Sequence, residues 1–170
     1  MFHNLTGLKT KINMEILFIG DQPKNISQDY LDQLASLVAA GGQVEYRDAK
    51  RGIANAFVLA MLVVEEKVIA GCCLKNPITN YRNRVFKNSQ AKQNPDSYPY
   101  ELGYIVTHHD YEGKGHCNNL MTQFFPAIAS YQIYATTRKP AMAHILAKYG
   151  FYKTGKIYKD DLEMLLYDGK

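Results

Sequence analysis

Cysteine is scarce and poorly spaced for cross-linking: Cys72, Cys73 and Cys117 make an odd three, two of them adjacent, with no C-x-x-C half-site. That excludes a disulfide framework and the common zinc-finger spacings, and makes a reducing cytoplasm the expected compartment. No apolar run approaches the roughly 20 residues of a membrane span, and the opening MFHNLTGLKTKIN lacks the apolar core of a secretory signal. No membrane partner is expected. Excess charge is small as well. Lys plus Arg number 20 against 16 Asp plus Glu, a net +4 that suits an anionic ligand without demanding nucleic acid. What the chain does have is 46% hydrophobic residues over 170 positions, enough for the core of a single domain over 1–170. Residues 1–13, ahead of Met14, read as an N-terminal extension, with Met1 and Met14 both open as the start.

Apolar periodicity sets out the elements. MEILFIG is a strand, and Ser27 caps a helix bearing Leu31, Leu34, Leu37 and Val38, which Gly41 and Gly42 end. EYRDAKRGIANA forms a second short helix. AFVLAMLVV and VIAGCCL, separated by Glu65, Glu66 and Lys67, are a hairpin. From Lys75 to Pro99 the apolar pattern fades and Lys75, Arg82, Arg84, Lys87 and Lys92 stand among Asn, Pro and Ser, so 75–99 is expected to be a long, mobile, basic loop insertion. YELGYIVT is the next strand. A glycine-containing turn then leads into a helix with Leu120, Met121, Phe124 and Phe125, which Pro126 should bend or end. YQIYATT is a short strand, a helix runs from Pro140 towards Gly150, and FYKTGKIY with LEMLLYD closes the chain as a hairpin. Hairpins mixed with strand-helix-strand crossovers imply an α+β domain: a mixed, mostly antiparallel sheet flanked by helices. The glycine-rich turn comes too late for a dinucleotide-binding fold.

Chemistry concentrates at Glu112-Gly113-Lys114-Gly115-His116-Cys117, where a strand hands over to a helix. The first N–H groups of a helix have no internal acceptors, glycines let a phosphate approach the backbone, and Lys114 adds a cation. The stretch ELGYIVTHHDYEGKGHC resembles the acetyl-CoA-binding motif of the GNAT superfamily of N-acetyltransferases, in which a strand ends in an R/Q-x-x-G-x-G/A turn. KPAMAHILAKYGFYKTG is similar to a second motif of that family, with Gly150-Phe151 in place, and the resemblance extends over most of the chain beyond about residue 56.

The resemblance implies a GNAT-like fold and an acetyl-CoA-dependent enzyme that acetylates a primary amine by direct attack in a ternary complex, with no metal. It implies that Ile105, Val106 and Thr107 offer backbone groups to the pantetheine arm, and that Gly113, Lys114, Gly115, His116, Cys117 and Asn118 surround the pyrophosphate. Glu101 falls where several members place a general base, and strand alternation puts it on one face with Gly103, Ile105 and Thr107. Four positions depart from the family pattern. Glu112 replaces Arg or Gln, Cys117 replaces a small residue, Lys139 replaces Asn, and Leu146 stands where a proton-donating Tyr is usual. Tyr149, three residues on, is the substitute candidate for the general acid.

His108, His109, His116 and Cys117 gather near the same turn but match no metal-ligand spacing. Thirteen tyrosines and the basic loop raise RNA binding, yet the tyrosines are scattered through strands and helices, so nucleic acid is not the favoured partner. The acceptor stays open among a small molecule, a peptide and an aminoacylated RNA recruited by the loop, as does a homodimer. A catalytically degenerate acyl-CoA-binding or interaction module is the alternative.

Overall fold

The structure, a computed structural model, describes residues 14–170; the expected extension at 1–13 lies outside the described residues. One seven-stranded sheet carries the chain, in the order β1-β2-β3-β4-β5-β7-β6. The strands are β1 (Leu17–Asp21), β2 (Val58–Val64), β3 (Lys67–Lys75), β4 (Tyr100–Thr107), β5 (Ile133–Thr137), β6 (Tyr152–Tyr158) and β7 (Leu162–Tyr167). The helices are α1 (Gln28–Ala40), α2 (Tyr46–Ala54), α3 (Thr79–Ser89), α4 (His116–Ile128) and α5 (Pro140–Ala147). Every neighbouring pair of strands is antiparallel except β4 and β5. No helix among the described residues is long and apolar enough to cross a membrane.

Period-two alternation divides the core between the two faces of the sheet. Ala60, Leu62, Leu74 and Leu102 point to one side, where Leu120, Met121 and Phe124 of α4 and Leu146 of α5 complete the packing. Leu59, Met61 and Cys73 point to the other, against Leu34 of α1 and Ile53 of α2. Ser27 caps α1 as expected, its Oγ accepting the Tyr30 N–H at 3.4 Å. Gln33 then ties α1 to the β2–β3 turn: its Oε1 accepts the Val68 N–H at 2.9 Å and its Nε2 donates to the Glu66 carbonyl at 3.0 Å.

Two expectations need correction. Pro126 does not end α4, which runs to Ile128 with the proline in its last turn. One lost backbone bond is outweighed there by Phe124, Phe125 and Ile128, all buried in the core. Likewise, 75–99 is not a mobile loop: it contains α3 and a 3-10 turn at Pro95–Ser97. The buried positions of α3 are Arg82, Val85, Phe86 and Ser89, at helical spacing, but two of the four are polar, so a search for apolar periodicity passes over them. The basic residues are dispersed as well. Lys75 is paired with Glu101, Arg82 is buried in an ion pair with Asp96, and Lys87 and Lys92 are exposed.

The C-terminal end of α3 packs on β6 at Gly155, which has φ +66 and whose Cβ, were there one, would lie 2.2 Å from the Ser89 carbonyl oxygen. Backbone cannot yield as a side chain does. Gly155→Ala should therefore lower stability by about 1–3 kcal/mol in urea unfolding, and an unchanged midpoint would show that α3 is not held by this contact.

Candidate functional site

The site is built around a defect in β4. Cys73 pairs with Gly103, but Gly71 pairs with Val106, so β4 advances three residues while β3 advances two. That is a β-bulge, and Tyr104 within it has φ +51. One extra residue inverts the side-chain alternation beyond it. Glu101, Gly103 and Tyr104 consequently face the α1–α3 side, whereas Ile105 packs with the α4 core. The expected common face of Glu101 with Ile105 and Thr107 is thus corrected. The β4–β5 ladder stops at the same level, with only Tyr100↔Ile133 and Glu101↔Tyr134 paired, and the two strands part beyond Glu101.

The gap opens into two cavities. The larger, about 900 Å³, lies between α1, α5, the C-terminal half of β4 and the turn before α4. Of the residues expected to hold a cofactor, Ile105, Val106, Thr107, Gly113 and Cys117 line it; Lys114, Gly115, His116 and Asn118 do not. The Lys114 ammonium turns back onto the Asp110 carbonyl at 3.1 Å. Gly115 starts α4 in the left-handed region with φ +81 and no capping side chain, and the first bond inside the helix runs from the Asn119 N–H to the Gly115 carbonyl. The N–H groups of His116, Cys117 and Asn118 therefore face the turn without helical acceptors. His108, His109 and Glu112, picked out beside this turn in the sequence, also line the cavity; Lys67 does too and escaped the sequence reading, because nothing in spacing alone brings β3 to this turn.

His108, His109 and Asp110 bring ligand-type atoms within 4.8 Å of one another. Contacts among the three account for the grouping: Asp110 N–H donates to His108 Nδ1 at 3.2 Å, and His109 Nε2 lies 3.0 Å from Asp110 Oδ1. Burial pushes the Cys117 thiol up, the reverse of an activated nucleophile, and it pushes Cys73 up to about 12.

The second cavity, about 350 Å³, contains Glu101. Lys75 and Glu101 are directly opposed across β3 and β4, with Nζ 3.2 Å from Oε2 and side chains 19% and 6% exposed. Tyr134 donates its hydroxyl to Oε2 at 3.4 Å, and the Lys75 ammonium lies 4.4 Å from the centre of the Tyr104 ring. Burial pulls Lys75 down, but Glu101 with Tyr104 and Tyr81 outweighs it and holds the ammonium above its ordinary 10.5. Burial raises Tyr81 and Tyr104 as well. Leu146 lines this cavity, whereas Tyr149 lines neither: its hydroxyl sits 3.1 Å from Thr122 Oγ1 and 3.4 Å from the Asn118 carbonyl, packed on Phe125. Tyr149, the candidate general acid, therefore faces α4 and neither cavity, and its contacts tie the chain just after α5 to α4.

No family model matches the sequence, and no curated protein matches it. Solved structures do resemble it in fold. An acyl-CoA N-acyltransferase from Pseudomonas aeruginosa superposes with a TM-score of 0.68 at 13% identity, over 90% of this chain and 99% of the other. A GNAT-family acetyltransferase from Streptococcus agalactiae gives 0.65 at 13% identity, over 93% and 99%. The AHL synthase LasI gives 0.61 at 11% identity, over 90% and 89%. The chain has the GNAT acyl-CoA N-acyltransferase fold, the α+β class expected from its sequence.

The buried ion pair sets a stability test. Lys75→Met leaves the Glu101 carboxylate buried without its cation and should cost about 3–5 kcal/mol, while the double variant Lys75→Met/Glu101→Leu should recover most of it. Because the folded Lys75 titrates above 10.5, its stabilisation is complete below that pH and is lost as pH rises through the raised value. Urea unfolding across pH should show the parent and Lys75→Met converging at the alkaline end. A constant gap would assign the loss to packing.

Proposed function

We propose that the chain is an acetyl-CoA-dependent N-acetyltransferase that transfers the acetyl group to a small primary amine within a ternary complex. The observation that carries the reading is the meeting of two cavities at the bulge of β4, one beside an uncapped helix start and the other containing a carboxylate. The larger cavity fits the donor. At about 900 Å³ it is in the size range of cofactor sites, the three N–H groups of α4 are available to a pyrophosphate, and a Cβ at Gly113 or Gly115 would meet nothing within 4 Å. Three carboxylates line it, and one of them, Asp32, is answered by Lys50 at 3.1 Å. When bound, acetyl-CoA supplies an activated thioester carbonyl.

The protein's own residues do the rest. Ile105, Val106 and Thr107 hold the arm against the edge of β4, and Gly113 with the α4 start receives the pyrophosphate. Tyr104 and Ile105 fall outside the β3–β4 register, which makes a backbone N–H in the bulge the assigned donor to the carbonyl oxygen as it gains charge. A lysine-like amine loses its proton at pH 7 only at a cost of about 4.6 kcal/mol, from a pKa near 10.4. Glu101 takes that proton. Lys75 occupies Oε2 and its stem covers Gly103, so Oε1, the oxygen not on Lys75, is the one that receives the proton.

Two of the five cations of the expected basic loop, Lys75 and Arg82, are engaged by carboxylates, which leaves Arg84, Lys87 and Lys92 for an RNA-linked or large protein acceptor and favours a small amine. A CoA-binding module without turnover is the second reading, favoured by Leu146 and by the cation already on Glu101. One set of measurements separates the two. Acetyl-CoA should bind saturably by calorimetry and release free thiol with a subset of small amines. Glu101→Gln should lower kcat/KM by about 10²–10⁴ at pH 7 with donor affinity unchanged, and the deficit should shrink as pH approaches the amine pKa. Binding without thiol release would leave the module, no binding at millimolar donor would remove both readings, and full turnover by Glu101→Gln would remove the base.

A further inference from the structure

The two cavities share five lining residues, Gly41, Ile105, Val106, Lys139 and Met142, and Lys139 alone among them has an ionisable side chain. It stands at the N-cap of α5, where its backbone is fixed: its N–H donates to Thr137 Oγ1 at 3.0 Å. The other cations of the smaller cavity are already engaged, Lys75 with Glu101 and Arg138 with Asp161. Lys139 has no carboxylate partner among the described residues. Tyr149 faces away from the site and Leu146 has no proton to give, so the ionisable group that the two cavities share is the cation of Lys139, an exposed residue.

We propose that Lys139 is a catalytic residue that stabilises the departing CoA thiolate as its counter-ion. This rests on the acetyl-transfer reading above. For an acyl group to pass from the larger cavity to the smaller, the thioester sulfur must lie at their seam. There the neutral amine nitrogen, its ammonium proton already on Glu101, forms its bond to the carbonyl carbon, the C–S bond breaks with its electron pair on sulfur, and the second proton that the nitrogen sheds as the amide forms goes to water. An alkyl thiol titrates near 8.5 and a lysine near 10.4. That order leaves the ammonium charged opposite a charged sulfur, an ion pair and not a proton transfer, with the thiolate taking its proton from water on release.

Other titratable groups stand on both sides of the seam. In the smaller cavity they are Lys75, Tyr81, Glu101, Tyr104 and Arg138. The larger has Lys67, His108, His109 and Cys117, with the carboxylates of Asp29, Asp32 and Glu112 opposing them. The test therefore compares variants at residue 139 and does not rest on a single pH profile. CoA is titrated in complex with the parent, Lys139→Met and Lys139→Arg, following the thiolate absorbance with protein alone as blank, and kcat is measured with acetyl-CoA and an accepted amine.

The expected result is that the bound thiol titrates about 1 unit or more below free CoA in the parent and in Lys139→Arg, and like free CoA in Lys139→Met. Turnover should fall about 10²-fold in Lys139→Met and by less than roughly tenfold in Lys139→Arg. A Lys139→Met chain matching the parent in both readouts overturns the proposal, as does a Lys139→Arg chain as impaired as Lys139→Met. If the parent itself neither binds acetyl-CoA nor releases thiol, the acetyl-transfer reading falls and this inference with it. That outcome is distinct from an active parent indifferent to residue 139.

Discussion

One extra residue in β4 is the constraint on which the site depends. Had the register from Cys73↔Gly103 continued evenly, Tyr104 would have faced α4 and Ile105 would have followed Glu101. The bulge instead turns Tyr104 onto the Lys75 ammonium and gives Ile105 to the opposite core. It also lies just past the last rung of the β4–β5 ladder, so backbone freed from β3 on one side has no β5 partner on the other. Unpaired backbone at the centre of a sheet is costly unless something satisfies it. Here it borders two cavities, where a ligand or water can reach it.

The Lys75–Glu101 pair belongs to the same region and is hard to explain by stability alone. Withdrawing two charges from water costs several kcal/mol per ion, and a well-packed apolar pair is often at least as stable. A strand centre facing Tyr81, Tyr104 and Tyr134 would readily accept such a pair. Under the proposed reading that cost is offset by chemistry at Oε1, the oxygen not on Lys75. Of the cations that line the smaller cavity, Lys75 and Arg138 are answered by carboxylates and Lys139, among the described residues, is not.

Most of the fold was legible in the sequence because its signals are local. The β2–β3 hairpin, the apolar face of α4 and the Ser27 cap each need fewer than about fifteen residues to read. What escaped depends on long-range contact. Helix α3 has poor intrinsic propensity, rich as it is in Asn and β-branched residues, and forms because Val85 and Phe86 pack on Tyr98 and Tyr134. The bulge leaves no trace in YELGYIVT, where only the register against β3 reveals it. Lys75 read as the start of a loop because its partner lies 26 positions away across a strand pair. The motif led to Glu101 and the β4 edge, both of which line a cavity, whereas Tyr149 lines neither: three residues along α5 and its end is enough to turn a side chain towards α4.

The departures from the family pattern become intelligible as a set once placed in space. Leu146 and Lys139 both line the smaller cavity and are seven residues apart, which on a helix is two turns along one face. Leu146 offers no hydrogen-bonding group, so charge formed beside it is poorly solvated by that side chain. Lys139, exposed at the N-cap of the same helix, lines both cavities. Coulombic attraction strengthens as water is excluded, and an ammonium beside an apolar wall therefore does more for a nascent thiolate than it would in open solvent. Replacing a hydroxyl deep on α5 by an ammonium at its start exchanges proton donation for charge compensation. For a leaving group as weakly basic as a thiolate, charge compensation is the smaller demand.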